Sequence, residues 1–108
     1  MKEETYIEQV HAVVKSIPPG RVTSYGAIAD FLALGSARMV GWALYNSLPG
    51  DSVPAHRVVN RKGELSGRNN FPTPTLMQEL LEKEGIEVVN DRVLEFEQLF
   101  WNPWEAGE

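Results

Sequence analysis

A chain of 108 residues, 43% apolar and 23% charged, has the size and balance of one soluble domain with a single modest core. It holds no cysteine and only two histidines, His11 and His56, which excludes disulfides, thiolate zinc sites and thiol nucleophiles and leaves no histidine-rich metal centre, so no cofactor is expected. The net charge of -5 argues at first sight against nucleic acid, no apolar run approaches the roughly 18 residues of a membrane span, and the acidic start Met1-Lys2-Glu3-Glu4 is unlike a signal peptide, so a cytoplasmic address is expected.

Tyr6, Ile7, Val10, Val13, Val14 and Ile17 recur at helical spacing and predict an amphipathic helix over residues 4–16, stopped by Pro18-Pro19-Gly20. Thr23 or Ser24 caps a second helix running to about Leu34, with Ala27, Ile28, Phe31 and Leu32 as its buried stripe. Gly35 ends that helix, and Ser36 caps a third through about Asn46. Two short helices joined by a tight glycine turn make a helix-turn-helix pattern, which many small helical domains share.

Leu48 to Pro54 reads as loop. His56-Arg57-Val58-Val59 reads as a short strand, Arg61-Lys62-Gly63-Glu64 as a turn, and Leu65-Ser66 as the returning strand of a hairpin. Thr75 and Gln78 have capping-box spacing and open a helix through Glu84, which Gly85 ends. Ile86–Val89 and Arg92–Leu94 predict a second small hairpin around Asn90-Asp91. The tail, with Phe96, Leu99, Phe100, Trp101 and Trp104, is too apolar to be free and is expected to pack back. Residues 1–108 thus read as a single domain, mainly α-helical with a small β-hairpin.

The charge is unevenly spread. Residues 15–68 carry seven bases (Lys15, Arg21, Arg38, Arg57, Arg61, Lys62, Arg68) against three acids (Asp30, Asp51, Glu64), a local +4, while residues 69–108 carry -7. The middle of the chain suits a polyanion and the rest repels one; a mere clustering of acids on the late helix and tail fits the same numbers.

Four segments, in order, carry a resemblance: Gly20-Arg-Val-Thr-Ser-Tyr-Gly-Ala-Ile-Ala29, Ala37-Arg-Met-Val-Gly-Trp-Ala43, Val53-Pro-Ala-His-Arg-Val-Val-Asn60 and Leu80-Leu-Glu-Lys-Glu-Gly85. Over roughly residues 6–89 the chain resembles the DNA-binding domain of the O6-alkylguanine-DNA alkyltransferases. The resemblance implies a winged-helix-like helix-turn-helix domain. In those enzymes a cysteine stands between the Pro and His of the third segment and takes the alkyl group from guanine; here the position is Ala55. A methyl group is no nucleophile. The alkyltransferase-like proteins, the branch without this cysteine, usually carry Trp there. An engineered replacement by Ala and a natural cysteine-free member both fit the sequence.

The resemblance also implies roles. Arg38 enters the duplex and fills the gap left by an extruded base. Ala37 and Gly41, four apart on one helical face, let the third helix approach the minor groove, with Trp42 beside them. Tyr25 contacts the phosphate next to the flipped nucleotide, with Thr23 and Ser24 as caps and secondary phosphate contacts. His56 and Glu84 match the enzymes' catalytic frame and are vestigial here, with Arg57 as a buried ion-pair partner. Asn46 resembles the Asn that links the recognition helix to the pocket, at a spacing one residue longer than usual. The alkylguanine pocket is expected to be lined by Tyr25, Pro54, Ala55, Val58 or Val59, Ser66 and the loop after it, Gly67-Arg68-Asn69-Asn70-Phe71, with the Arg68 guanidinium over the modified base.

The expected function is binding of O6-alkylguanine in double-stranded DNA by nucleotide flipping, without alkyl transfer, as a monomer that flags the lesion for nucleotide excision repair proteins. Two alternatives stay open: an alkyltransferase domain inactivated at position 55, and a helix-turn-helix transcriptional regulator reading the major groove.

Overall fold

The computed structural model describes residues 3–45 and 53–107. The chain forms α1 (Glu3–Lys15), β1 (Thr23–Ser24), α2 (Tyr25–Phe31), α3 (Ala37–Tyr45), β2 (Val58–Val59), α4 (Leu76–Lys83), β3 (Val88–Val89), β4 (Arg92–Val93) and α5 (Phe96–Leu99), with 3-10 turns at Ala55–Arg57, Arg68–Asn70 and Pro103–Gly107. It is mainly helical, as the periodicity predicts. Among the described residues no helix is long and apolar enough to cross a membrane, and no group of three or more His, Asp or Glu is arranged to hold a metal ion.

α2 and α3 pack on each other, and α3 packs on α1. The apolar stripe of α1 is buried against them: Val10, Val13, Val14 and Ile17 join Ile28, Ala29, Val40, Ala43, Leu44 and Val58 in one core. His11 Nε2 lies 2.9 Å from the Ala43 carbonyl and so ties α1 to α3. A second core gathers Val22, Val59, Leu65, Met77, Leu81, Ile86, Val88 and Val93. Val58 and Val59 are neighbours on β2 and belong to different cores, because successive strand side chains point to opposite faces. β2 is the partition between the two halves of the molecule.

Three local expectations need correction, and one lies beyond the described residues. β2 does not return on Leu65-Ser66; it pairs in parallel with β1, Thr23 opposite Val58 and Ser24 opposite Val59. The turn between exists, braced by Asn60 Oδ1, which accepts from the Lys62 and Glu64 amides at 2.9 and 2.8 Å. It delivers Leu65 into the second core, where its amide bonds the Asp91 carbonyl at 2.9 Å. α2 ends before Gly35 is reached: Leu32 is its C-cap, and Ala33 takes the left-handed position with φ +57°. The Ala33 amide bonds Asp30 O at 3.2 Å and the Leu34 amide bonds Ala29 O at 2.9 Å, the reciprocal pair of a Schellman cap. Thr75 precedes α4 without a capping box; its hydroxyl bonds Glu79 Oε2 at 2.8 Å instead. α3 is described only to Tyr45, so the expected role of Asn46 lies outside the described residues.

The second hairpin forms as expected. β3 and β4 pair antiparallel, and Asn90 and Asp91 both have positive φ, +53° and +59°, as a two-residue type I′ turn requires. The tail does pack back. Phe100 bridges Val22, the Trp101 amide bonds Val22 O at 2.7 Å, and the Trp101 ring is 3% exposed in the first core. Arg21 clamps the same segment, donating to the Leu99 and Phe100 carbonyls at 3.1 and 2.6 Å. Trp104 is different: it stays 61% exposed, edge-on to Phe31 at 4.8 Å.

Ala33 is the strained element of this design, since a left-handed residue with a Cβ costs about 1–2 kcal/mol and glycine avoids that cost. Ala33→Gly is expected to raise stability by about 1 kcal/mol, read as a higher urea midpoint at unchanged slope.

Candidate nucleic-acid interface

Ser24 starts α2 by accepting the Ala27 amide on its Oγ at 3.1 Å, which fixes Tyr25 as the first helical residue. The Tyr25 ring reaches the 66–70 loop. Burial pushes its phenol above the usual 10, and a hydrogen bond with the Ser66 side chain opposes that rise. The phenol therefore keeps its proton and remains a donor. The approach is close: a Cβ on Gly67 would lie 2.6 Å from the Tyr25 hydroxyl, so position 67 has no room for a side chain while Tyr25 sits there.

α3 supplies the facing surface. Ala37, Arg38, Trp42 and Tyr45 are exposed, and a Cβ on Gly41 would meet nothing within 4 Å. Gly41 thus serves no helix packing; it leaves open space on the outer face of α3. Arg38 makes no ion pair or hydrogen bond among the described residues. Between these elements lies an open cleft of about 510 Å³ lined by Tyr25, Ala37, Arg38, Gly41, Trp42, Tyr45, Ser66, Gly67 and Asn70. A second hollow of about 460 Å³ shares Tyr25 and Ala37 with it and is bordered by Gly26 and by Asn60, Arg61, Lys62 and Glu64 of the braced turn.

A polar network ties the 3-10 turn at Ala55–Arg57 to the end of α4. Glu84 Oε1 accepts from the Gly20 amide at 2.9 Å, and Oε2 accepts from Arg57 Nη2 at 2.8 Å. His56 Nε2 lies 2.7 Å from Glu84 Oε2, and Arg57 Nη1 continues to the Ile17 carbonyl at 2.9 Å. Burial alone would raise the Glu84 pKa. Hydrogen bonds from Arg57, the Gly20 amide and His56 outweigh it and hold the carboxyl at about 2, against the usual 4.5. Burial also lowers His56 below its usual 6.5, and the Glu84 carboxylate only partly restores it. A neutral His56 donating from Nε2 to ionised Glu84 fits both shifts.

A family model described as the DNA-binding domain of 6-O-methylguanine DNA methyltransferase matches residues 5–86. Alkyltransferase-like protein 1 of Schizosaccharomyces pombe is 32% identical over 108 residues, covering 95% of this chain and 100% of its own. The chain belongs to the alkyltransferase-like branch of this family. The DNA base-flipping protein of Vibrio parahaemolyticus is 36% identical over 103 residues, covering 93% of this chain and 99% of its own. The crystal structure of S. pombe Atl1 in complex with damaged DNA containing O6-carboxymethylguanine superposes with a TM-score of 0.85 at 31% identity, over 94% of this chain and 98% of that one.

Within this alkyltransferase-like domain, Tyr25, Ala37, Arg38, Gly41, Trp42 and Ser66 of the expected interface come together on one cleft. The others do not. Val58 and Val59 have no exposed surface and belong to the cores, so neither lines an open pocket. Pro54 and Ala55 are half-buried and off the cleft wall, with Ala55 packed against the first core. Thr23 is fully buried and its Oγ1 finds no hydrogen-bond partner among the described residues, while the Ser24 hydroxyl oxygen, in a side chain that is also buried, accepts the Ala27 amide at the cap. Neither residue lines the cleft. Arg68 turns away from the cleft to the Leu65 carbonyl at 3.1 Å and to Asp91 at 3.9 Å.

Gly67 and Asn70 also line the cleft and lie in the loop after Ser66 that was expected there; one lining residue, Tyr45, was not expected. Tyr45 was legible, since it stands seven residues after Arg38 and three after Trp42 on the same helical stripe. The charge reading is narrowed as well. Arg57 is engaged by Glu84 and Arg21 by the tail, and Arg68 is not on the cleft wall, which leaves Arg38, Arg61 and Lys62 as the bases bordering the cleft and its neighbouring hollow.

A carboxylate held below its unfolded pKa stabilises the fold above about pH 4.5 and loses that stabilisation as pH falls toward about 2. Wild-type protein is expected to show that acid limb in urea unfolding at stepped pH. Glu84→Gln leaves the Arg57 guanidinium buried without its partner; it should be about 3 kcal/mol less stable at neutral pH and show a shallower limb.

Proposed function

We propose that this protein binds O6-alkylguanine in duplex DNA from the minor groove, swings the modified nucleotide into the cleft, and does not remove the alkyl group. The observation that carries the reading is the cleft itself. An unpaired Arg38 stands on the same wall as a protonated Tyr25, and no cysteine exists anywhere in the chain to accept an alkyl group. A guanidinium stacks in the gap left by an extruded base and hydrogen-bonds the orphaned partner, which offsets part of the few kcal/mol that unstacking costs. The open face around Ala37 and Gly41 admits the backbone of a narrow groove. The crystal structure of Atl1 with DNA containing O6-carboxymethylguanine supports the same ligand class for this chain.

On this reading the protein acts as a cytoplasmic monomer, and the bound, opened duplex is the signal that recruits repair proteins, those of nucleotide excision repair first. Arg61 and Lys62 add phosphate contacts, so affinity falls with salt. The intact Glu84–His56 pair, at 2.7 Å, favours one second reading, an alkyltransferase domain inactivated at position 55. Stoichiometric alkyl transfer to an Ala55→Cys variant would support it.

Two duplexes of one sequence, with and without a single O6-methylguanine, test the main reading. Wild-type protein is expected to bind the lesion duplex at least tenfold more tightly by fluorescence anisotropy. Arg38→Ala should lose most of that preference with an unchanged circular dichroism spectrum. Equal binding of the two duplexes, or a one-methyl mass gain on the protein after incubation, would overturn it.

A further inference from the structure

Trp42 and Tyr45 are the largest aromatic surface that α3 gives to water. They follow Arg38 by four and seven residues on one exposed stripe and remain 55% and 62% exposed. Their rings lie 6.2 Å apart at 29°, close to parallel, so together they form one continuous aromatic wall. Tyr6, Tyr25 and Phe31 are packed against the core, and Trp104, also exposed, lies apart from the cleft with its ring edge-on to Phe31. An exposed apolar surface of this kind marks a binding site more often than a packing defect.

The occupant follows from what the wall adjoins. Trp42 and Tyr45 line the same cleft as Arg38, so the aromatic wall is continuous with the surface assigned to opened DNA. Two rings are far too small for a stable protein interface, which buries on the order of 1,200–2,000 Å². The other lining groups, the Tyr25 hydroxyl, Ser66 and Asn70, are donors and acceptors suited to reading the edge of a base. An aromatic wall reads only a π-face, and every base has one. The cleft thus holds two kinds of recognition, one able to distinguish a modified edge and one indifferent to it.

We propose that Trp42 and Tyr45 form a stacking station at the mouth of the cleft that holds an unpaired base of DNA whether or not it is alkylated. The proposal rests on the reading that α3 faces DNA, and it adds an activity: capture of undamaged extrahelical bases.

Three labelled duplexes test it: fully paired, with one bulged undamaged guanine, and with one O6-methylguanine. Wild-type protein is expected to bind the bulged duplex at least about fivefold more tightly than the paired one, in line with the stacking of a single base. That margin should fall to near unity in Trp42→Leu, shrink in Tyr45→Leu, and largely survive in Trp42→Phe. Tryptophan emission should be quenched by the bulged duplex in the wild type and lose that quench in Trp42→Phe. Absence of a bulge margin in the wild type, or a margin intact in both leucine variants, would overturn the proposal. So would self-association in sedimentation that Trp42→Leu abolishes, since the wall would then belong to a second copy. The lesion duplex keeps the two readings apart: preserved lesion preference without a bulge margin removes the stacking station alone, and loss of lesion preference removes the function beneath it.

Discussion

The carboxylate of Glu84 is the contact on which the arrangement turns. It draws together the Gly20 amide after α1, His56 and Arg57 before β2, and its own place at the C-cap of α4. Those three stretches belong to both halves of the molecule, whose cores lie on opposite faces of β2. A buried ionised group is tolerated only when its lone pairs are filled, and here amide, imidazole and guanidinium fill them. His56 and Glu84 resemble the pair that activates a thiol in the alkyltransferases, and this chain has no thiol for them to serve. Their contacts tie the segment around Ala55 to the end of α4.

The distance between what can be read from the sequence and what folds is set by locality. Helices α1 to α4, the type I′ turn at Asn90-Asp91 and the Gly85 stop are encoded in a few consecutive residues and were legible there; α5, a single turn in the apolar tail, was not. The pairing of β2 with β1 was not, because a two-residue parallel contact between distant segments leaves no alternation in either. The end of α2 misled for a related reason. A glycine at position 35 is the stronger stop signal, but the Schellman bonds close around Ala33, where leucine follows and can pack. Tertiary packing chose the cap over intrinsic preference.

The site divides the same way. Residues on the stripe of α3 and at the start of α2 could be assigned because helical geometry alone sets which of them share a face. Val58 and Val59 could not, since their burial depends on two cores meeting at one strand. Arg68 donates to the Leu65 carbonyl and is not on the cleft wall, an orientation invisible from the loop sequence. The cleft that results is built from side chains whose neighbours lie close in sequence, joined to the 66–70 loop by the Tyr25–Ser66 contact and the absent side chain of Gly67.

The methyl group at position 55 has a kinetic consequence. A protein that forms a covalent bond with its guest is consumed by one encounter, and its abundance sets how many sites it can treat. A side chain that forms none leaves each encounter reversible, so one molecule is free to meet many sites in turn. Dwell time, governed by the rate of departure, then sets how long each site stays occupied.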